Sequence, residues 1–207
     1  MNAQSTTMFA DVASAAICAF HDRGVAEPDW STAPASSGVD AAWRWIEANH
    51  RCNVLLWDEE DQARRRDVPD GAITANKRAI DGYNQRRNDA IEKIDESLLA
   101  RLSGVVPAAD AWHNSESAGA IIDRLSILAL KFHHMGEQTR RTDATPEHIA
   151  SCREKLARLS LQRDDLARCL DTLLAQAAEG RAFWRVYRQF KMYNSPELNP
   201  YLYGGKR

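Results

Sequence analysis

Thr145–Ala178 reads TPEHIASCREKLARLSLQRDDLARCLDTLLAQAA, and the spacing of its apolar residues decides the fold class. Ile149, Cys152, Leu156, Leu159, Leu166, Leu170 and Leu173 recur in steps of three and four, interrupted only at Arg163. That is the period of a helix with one buried stripe. Thr145 is placed as N-cap, Pro146 occupies a first helical position where no N–H is needed, and Glu147 is an early acid that complements the helix dipole. Gly180 ends the pattern after a few heptads, so the stripe reads as a packing seam in a bundle and not as a long coiled coil.

Working outward, the remaining chain has the same character. A segment from about Met8 to Asp22 ends at Gly24, and a Pro/Ser/Ala-rich loop runs to Gly38. Ser37 with Asp40 suggests a capped start for a helix from Val39 to Arg66, and Asp67-Val-Pro-Asp-Gly71 is turn chemistry before a third helix reaching Leu102. Asn114-Ser-Glu-Ser117 caps a fourth helix ending near Gly136. Ile121, Ile122, Leu125, Leu128, Ala129 and Phe132 on one side, with Ile127 and Leu130 on the other, make that helix apolar nearly all round and therefore central. A short sixth helix carries Phe183, Trp184, Tyr187 and Phe190. The expected fold is all-α: a bundle-like single domain of about six helices with an aromatic, proline-containing C-terminal tail. Its parts are an N-terminal helix and loop (1–38), a helical domain (39–193) and a docked tail (194–207).

Composition excludes several classes. With 27 basic and 29 acidic residues the net charge is −2, so no overall field draws the chain to nucleic acid. The four cysteines form no CxxC pair and three fall in apolar stripes, which fits a reducing, cytoplasmic setting. No stretch has the length of a membrane span, and the acidic Asp11 argues against a secretory signal. Glycine-rich phosphate loops, GxSxG elbows and HExxH pairs are absent. His133 and His134 are about 100° apart on a helical wheel, an arrangement that argues against one shared metal.

Polar residues nevertheless line the edge of the expected core. Lys77, Asp81, Asn84, Asn88 and Asp95 flank the Ile73, Ile80, Ile91, Ile94 and Leu98 stripe of the third helix. Asn49, Asn53, Glu60 and Arg64 do the same on the second, and Asp123 and His134 share a face of the fourth. Two readings stand side by side. In the first the ribbon is structural, with i,i+4 pairs Glu60–Arg64, Asp61–Arg65 and Lys77–Asp81. In the second it is a ligand site: Glu60, Asp81, Asp95 and Asp123 hold Mg2+ or Mn2+, because hard cations take carboxylate oxygens. Asn53, Arg64, Lys77, Asn84, Asn88, Lys131 and His134 then contact the ligand.

Several blocks carry a resemblance. They are Asn53-Val-Leu-Leu-Trp57 with Glu60-Asp61 and Ala63-Arg64; Lys77-Arg78, Ile80-Asp81, Asn84-Gln85 and Arg87-Asn88-Asp89; and Ile121-Ile-Asp-Arg-Leu-Ser-Ile-Leu128 with Lys131 and His134-Met135. The tail from Phe190 to Tyr203 completes them. Together they resemble an uncharacterised bacterial family, domain of unknown function 4254, over nearly the whole chain after about residue 40. The resemblance implies a genomic setting beside heptosyltransferases and other glycosyltransferases of lipopolysaccharide assembly. It therefore implies a role in envelope-glycan synthesis, as an accessory or binding module for a glycosyltransferase or a sugar-phosphate ligand. A metal-dependent enzyme on a nucleotide- or phosphate-linked sugar, and a structural partner protein, are the alternatives.

Overall fold

The computed structural model describes residues 8–189 and 195–203. After a 3-10 turn at Ala10–Val12 come α1 (Ser14–Ala26), α2 (Ala41–Gln62), α3 (Asp70–Arg101), β1 (Trp112–His113), α4 (Ala118–Thr139), α5 (Pro146–Ala178), β2 (Ala182–Phe183) and α6 (Pro200–Tyr203). The fold is all-α, with five long helices. Helix α4 is central: it packs against α1, α2, α3 and α5, and α2 and α3 pair along their lengths. Ile121, Ile122 and Leu125 of α4 meet Ile17, Ile46, Ile94, Leu98, Leu170 and Leu173 in the main core.

Caps behave as the sequence suggests at two helices. The Ser117 hydroxyl accepts from Ala120 N–H and the Thr145 hydroxyl from His148 N–H, each satisfying an orphan donor of the first turn. At α2 the cap is Asp40, whose carboxylate accepts from Ala42 N–H. The N-terminus of α1 is served from a distance: Asp171 of α5 accepts from both the N–H and the hydroxyl of Ser14, at 2.8 and 2.6 Å. Arg163, the break in the α5 stripe, donates to the Cys18 carbonyl and pairs with Asp22 at 2.7 Å, which ties α5 to α1.

Three expectations are corrected. Gly24 does not end α1 but lies inside it, because a Cβ there would sit 3.0 Å from the His50 ring and 3.1 Å from Trp30. No helix forms over residues 183–189; Ala182–Phe183 pairs in parallel with Trp112–His113, and Trp184 enters the core. The reversal rests on Gly180, whose φ of +72° is the left-handed region that glycine adopts without strain. Phe190 lies outside the described residues. The third concerns the tail, where two prolines argue against regular helix: α6 nevertheless forms, with Pro200 at its first position, where the missing N–H costs nothing. In the tail, Leu198 and Tyr201 are 51% and 96% exposed.

Helices α3 and α4 approach closely at Gly119, where an added Cβ would lie 2.5 Å from the Ile91 carbonyl oxygen and 3.0 Å from the Asp95 carboxyl. Gly119→Ala is expected to destabilise by about 1–3 kcal/mol, because a backbone oxygen cannot move aside as a side chain can. Gly82 in α3 has nothing within 4 Å of its would-be Cβ. Gly82→Ala should instead stabilise by about 0.5–1 kcal/mol through lower chain entropy in the unfolded state. Paired urea unfolding curves test both; equal effects would contradict the close approach.

Candidate functional site

A chain of buried polar groups runs from the α1–α2 contact to the outer surface between α2, α3 and α4. His50 Nε2 lies 3.0 Å from the His21 carbonyl, which can only accept, so Nε2 carries the proton. Burial lowers the His50 pKa to about 4, leaving a neutral ring whose Nδ1 accepts from the Ser126 hydroxyl at 2.7 Å. Ser126 Oγ in turn accepts from Asn53 Nδ2 at 2.9 Å. Asn53 and Asn49 both donate to Asp123 Oδ1, at 2.9 and 2.8 Å. Arg87 of α3 completes the chain, donating from Nε and Nη2 to the two Asp123 oxygens at 2.8 and 2.6 Å.

Asp123 is therefore a buried carboxylate saturated by a bidentate guanidinium and two amides. Its side chain is 4% exposed, whereas that of Arg87 is 26% exposed. Buried charge requires such partners, and the two-pronged pairing fixes the guanidinium plane. Among the described residues Arg87 Nη1 has no hydrogen-bond partner, so one edge of a rigidly held cation is left over.

Arg87 also lines a cleft of about 350 Å³, together with Asn53, Leu56, Trp57, Glu60, Asp61, Arg64, Asn84, Ile127 and Leu130. A second cleft, of about 540 Å³, shares Trp57 and Asp61 with it and is lined further by Lys131, His134, Met135, Glu137, Gln138, Lys155, Arg158, Leu159 and Gln162. The Trp57 indole stacks on the His134 ring with centroids 4.7 Å apart and planes at 11°. Asn84, Lys131, Lys155 and Arg158 form no hydrogen bond or ion pair among the described residues. The two clefts thus combine a flat aromatic wall with amides and basic groups that have no internal partner.

Of the expected ligand-contacting residues, Asn53, Arg64 and Asn84 line the smaller cleft, and Lys131 and His134 the larger. Lys77 sits at the rim, 3.7 Å from Glu60, which also pairs with Arg64 at 3.2 Å. Asn88 is turned to the C-terminal segment, donating to Gln189 Oε1 at 2.8 Å.

The proposed carboxylate metal centre does not assemble. Asp123 is neutralised by Arg87, and Asp81 is exposed and joins no cluster. Asp95 is buried under the N-terminus of α4, accepting from Gly119 N–H at 2.7 Å. Burial raises its pKa to about 6 against the opposing pull of Ser117 and Gly119. Of the four acids only Glu60 lines the cleft, beside Asp61, and it is paired with Arg64 and Lys77. Among the described residues one group brings three metal-capable side chains together, and it contains none of these acids: His133, His134 and Glu137. The wheel argument against the two histidines overlooked Glu137, whose position falls between their azimuths one turn on. Lys155 and Arg158, and Arg87 and Trp57 of the blocks that carry the resemblance, were not among the expected ligand contacts, yet they give the clefts much of their charge and their flat wall.

A family model described as a protein of unknown function (DUF4254) matches residues 43–186, which run from the first turn of α2 through β2 and contain every group lining both clefts. No curated protein and no solved structure matches the chain. Among the described residues no helix is long and apolar enough to cross a membrane.

Proposed function

The chain belongs to the family of unknown function DUF4254, and from that premise we propose that it is a binding module for a phosphorylated or nucleotide-linked sugar, acting beside a glycosyltransferase in envelope-glycan assembly. One observation carries the ligand class: among the described residues Lys131, Lys155 and Arg158 stand without partners in the cleft that holds the Trp57–His134 stack, beside the cleft that Arg87 lines. Basic groups committed to structure have acids within reach, as Arg163 and Arg101 do here. Unpartnered cations converging on a concave surface suit phosphate oxygens, and an indole face suits a sugar ring or a base. Asn53, Asn84 and Glu60 supply the amide and carboxylate groups that sugar hydroxyls need. The envelope-glycan setting and the glycosyltransferase partner rest on the family resemblance.

Calorimetric titration with nucleotide sugars, sugar phosphates and the matching free sugars tests this reading. Phosphorylated members should bind saturably and the free sugars should not. Lys131→Ala and Arg158→Ala should each weaken binding tenfold or more, since a charge-assisted hydrogen bond contributes about 1.5–3 kcal/mol. Both side chains are on the surface, so stability should stay within about 0.5 kcal/mol of wild type. Wild-type protein that binds nothing across the panel would sink the proposal.

A further inference from the structure

The end of α4 holds donor atoms that the ligand reading above does not use. His134 Nδ1 lies 2.9 Å from Glu137 Oε2, and His133 Nε2 lies 3.6 Å from Glu137 Oε1. One donor atom from each of the three side chains falls within 4.8 Å of the others. Donors around a zinc-sized ion at about 2.0–2.2 Å are separated by about 3–3.5 Å, so the two His–Glu distances are of ligand-set size and rotation of these surface side chains closes the rest.

Two further features separate this group from ordinary helix-surface pairs. The His134 ring is held by its near-parallel stack on Trp57 of the neighbouring helix, which fixes the plane of the ring independently of Glu137. The group also borders a concavity: His134 and Glu137 line the 540 Å³ cleft. With side chains 31%, 37% and 49% exposed, an ion can enter from solvent, and three protein donors leave coordination positions open.

We propose that His133, His134 and Glu137 form an open, three-ligand site for a borderline divalent cation of the zinc type on the wall of the cleft. Two imidazoles and a carboxylate suit Zn2+, Co2+, Ni2+ or Fe2+, whereas Mg2+ favours oxygen donors and keeps its water. The open positions accept an oxygen ligand, such as a phosphate or hydroxyl group entering the cleft. The site shares His134 with the cleft of the sugar reading, but its donor geometry is independent of that reading, and metal alone is the probe.

The experiment is titration of the chelator-stripped full chain with Zn2+ and with Co2+, in wild type, Cys152→Ala, His133→Ala and Glu137→Gln. Cys152 is included because its thiol lies 3.4 Å from His148 and offers a competing site. One equivalent of Zn2+ should bind with Kd well below about 1 mM, persisting in Cys152→Ala and in an excess of Mg2+. It should weaken at least tenfold in both His133→Ala and Glu137→Gln, while their melting curves without metal match wild type. The Co2+ complex should show d–d absorption without a thiolate charge-transfer band. Absence of saturable binding, binding lost in Cys152→Ala, or binding unchanged in His133→Ala and Glu137→Gln would each overturn the assignment.

Discussion

Asp123→Ala is expected to lower the unfolding free energy by about 3–5 kcal/mol, the cost of breaking a buried ion pair from one side. The substitution strands more than one group. Asn49 and Asn53 lose the oxygen that both address, and the Arg87 guanidinium loses its bidentate partner. Arg87→Ala should be at least as damaging. Arg87 is partly exposed and can swing toward water, whereas the Asp123 carboxylate is buried and would be left with amides alone. Changing both together to similarly sized apolar residues, as in Asp123→Leu with Arg87→Met, should recover much of the loss, since the strong penalty attaches to the unpaired charge. Urea unfolding of Asp123→Leu, Arg87→Met and the double closes the cycle, with the two alanine variants measured beside them. Single variants within about 0.5 kcal/mol of wild type would mean that the network is not the buried unit described here.

The sequence disclosed the helices and half disclosed the site, for a physical reason visible in particular residues. Thr145, Pro146 and Ser117 act within one turn of their own position, so local chemistry places α4 and α5. The recurrence of Ile121, Ile122, Leu125 and Ala129 likewise announces a helix covered from several sides. What links helices is different. Arg87 reaches Asp123 only because α3 and α4 pack at a certain register, and that register is set by contacts such as Gly119 against the Ile91 carbonyl. A wheel shows which residues share a face but not at what height they meet a neighbour. Asp81, Asp95 and Asp123 therefore looked equivalent beside their stripes, yet one lies in water, one under a helix N-terminus and one in an ion pair. The His50–Ser126–Asn53 chain was hidden for the same reason. The segment after Gly180 failed as a helix because pairing with β1 and burial of Trp184 outweigh its local aromatic spacing.

Stability should fall steadily between pH 6.5 and about 4, and the sign follows from three buried groups. His50 has its pKa lowered from 6.5 to about 4 by burial, and His21, fully buried against it with ring centroids 4.5 Å apart, is lowered well below 6.5 for the same reason and by its neighbour's charge. In this window the unfolded chain binds protons on both rings that the fold excludes, so acid favours unfolding by about 1.4 kcal/mol per pH unit for each ring. Asp95 works in the opposite direction: its pKa is raised from 3.8 to about 6, so below pH 6 the fold takes a proton that the unfolded chain does not yet hold. Two histidines against one carboxyl leave a net loss of about one proton, roughly 1.4 kcal/mol per pH unit. Asp95→Asn removes the counterweight and should steepen the acid loss toward twice that slope. His21→Leu should flatten it. Because neither ring nitrogen of His21 has a hydrogen-bond partner, this change removes two buried unsatisfied atoms and strands none. Urea unfolding of the three proteins at pH 7.5, 6.5, 5.5 and 4.5 reads all three slopes. A wild-type profile flat over this range, or a shallower one in Asp95→Asn, would show that these groups do not govern the acid response.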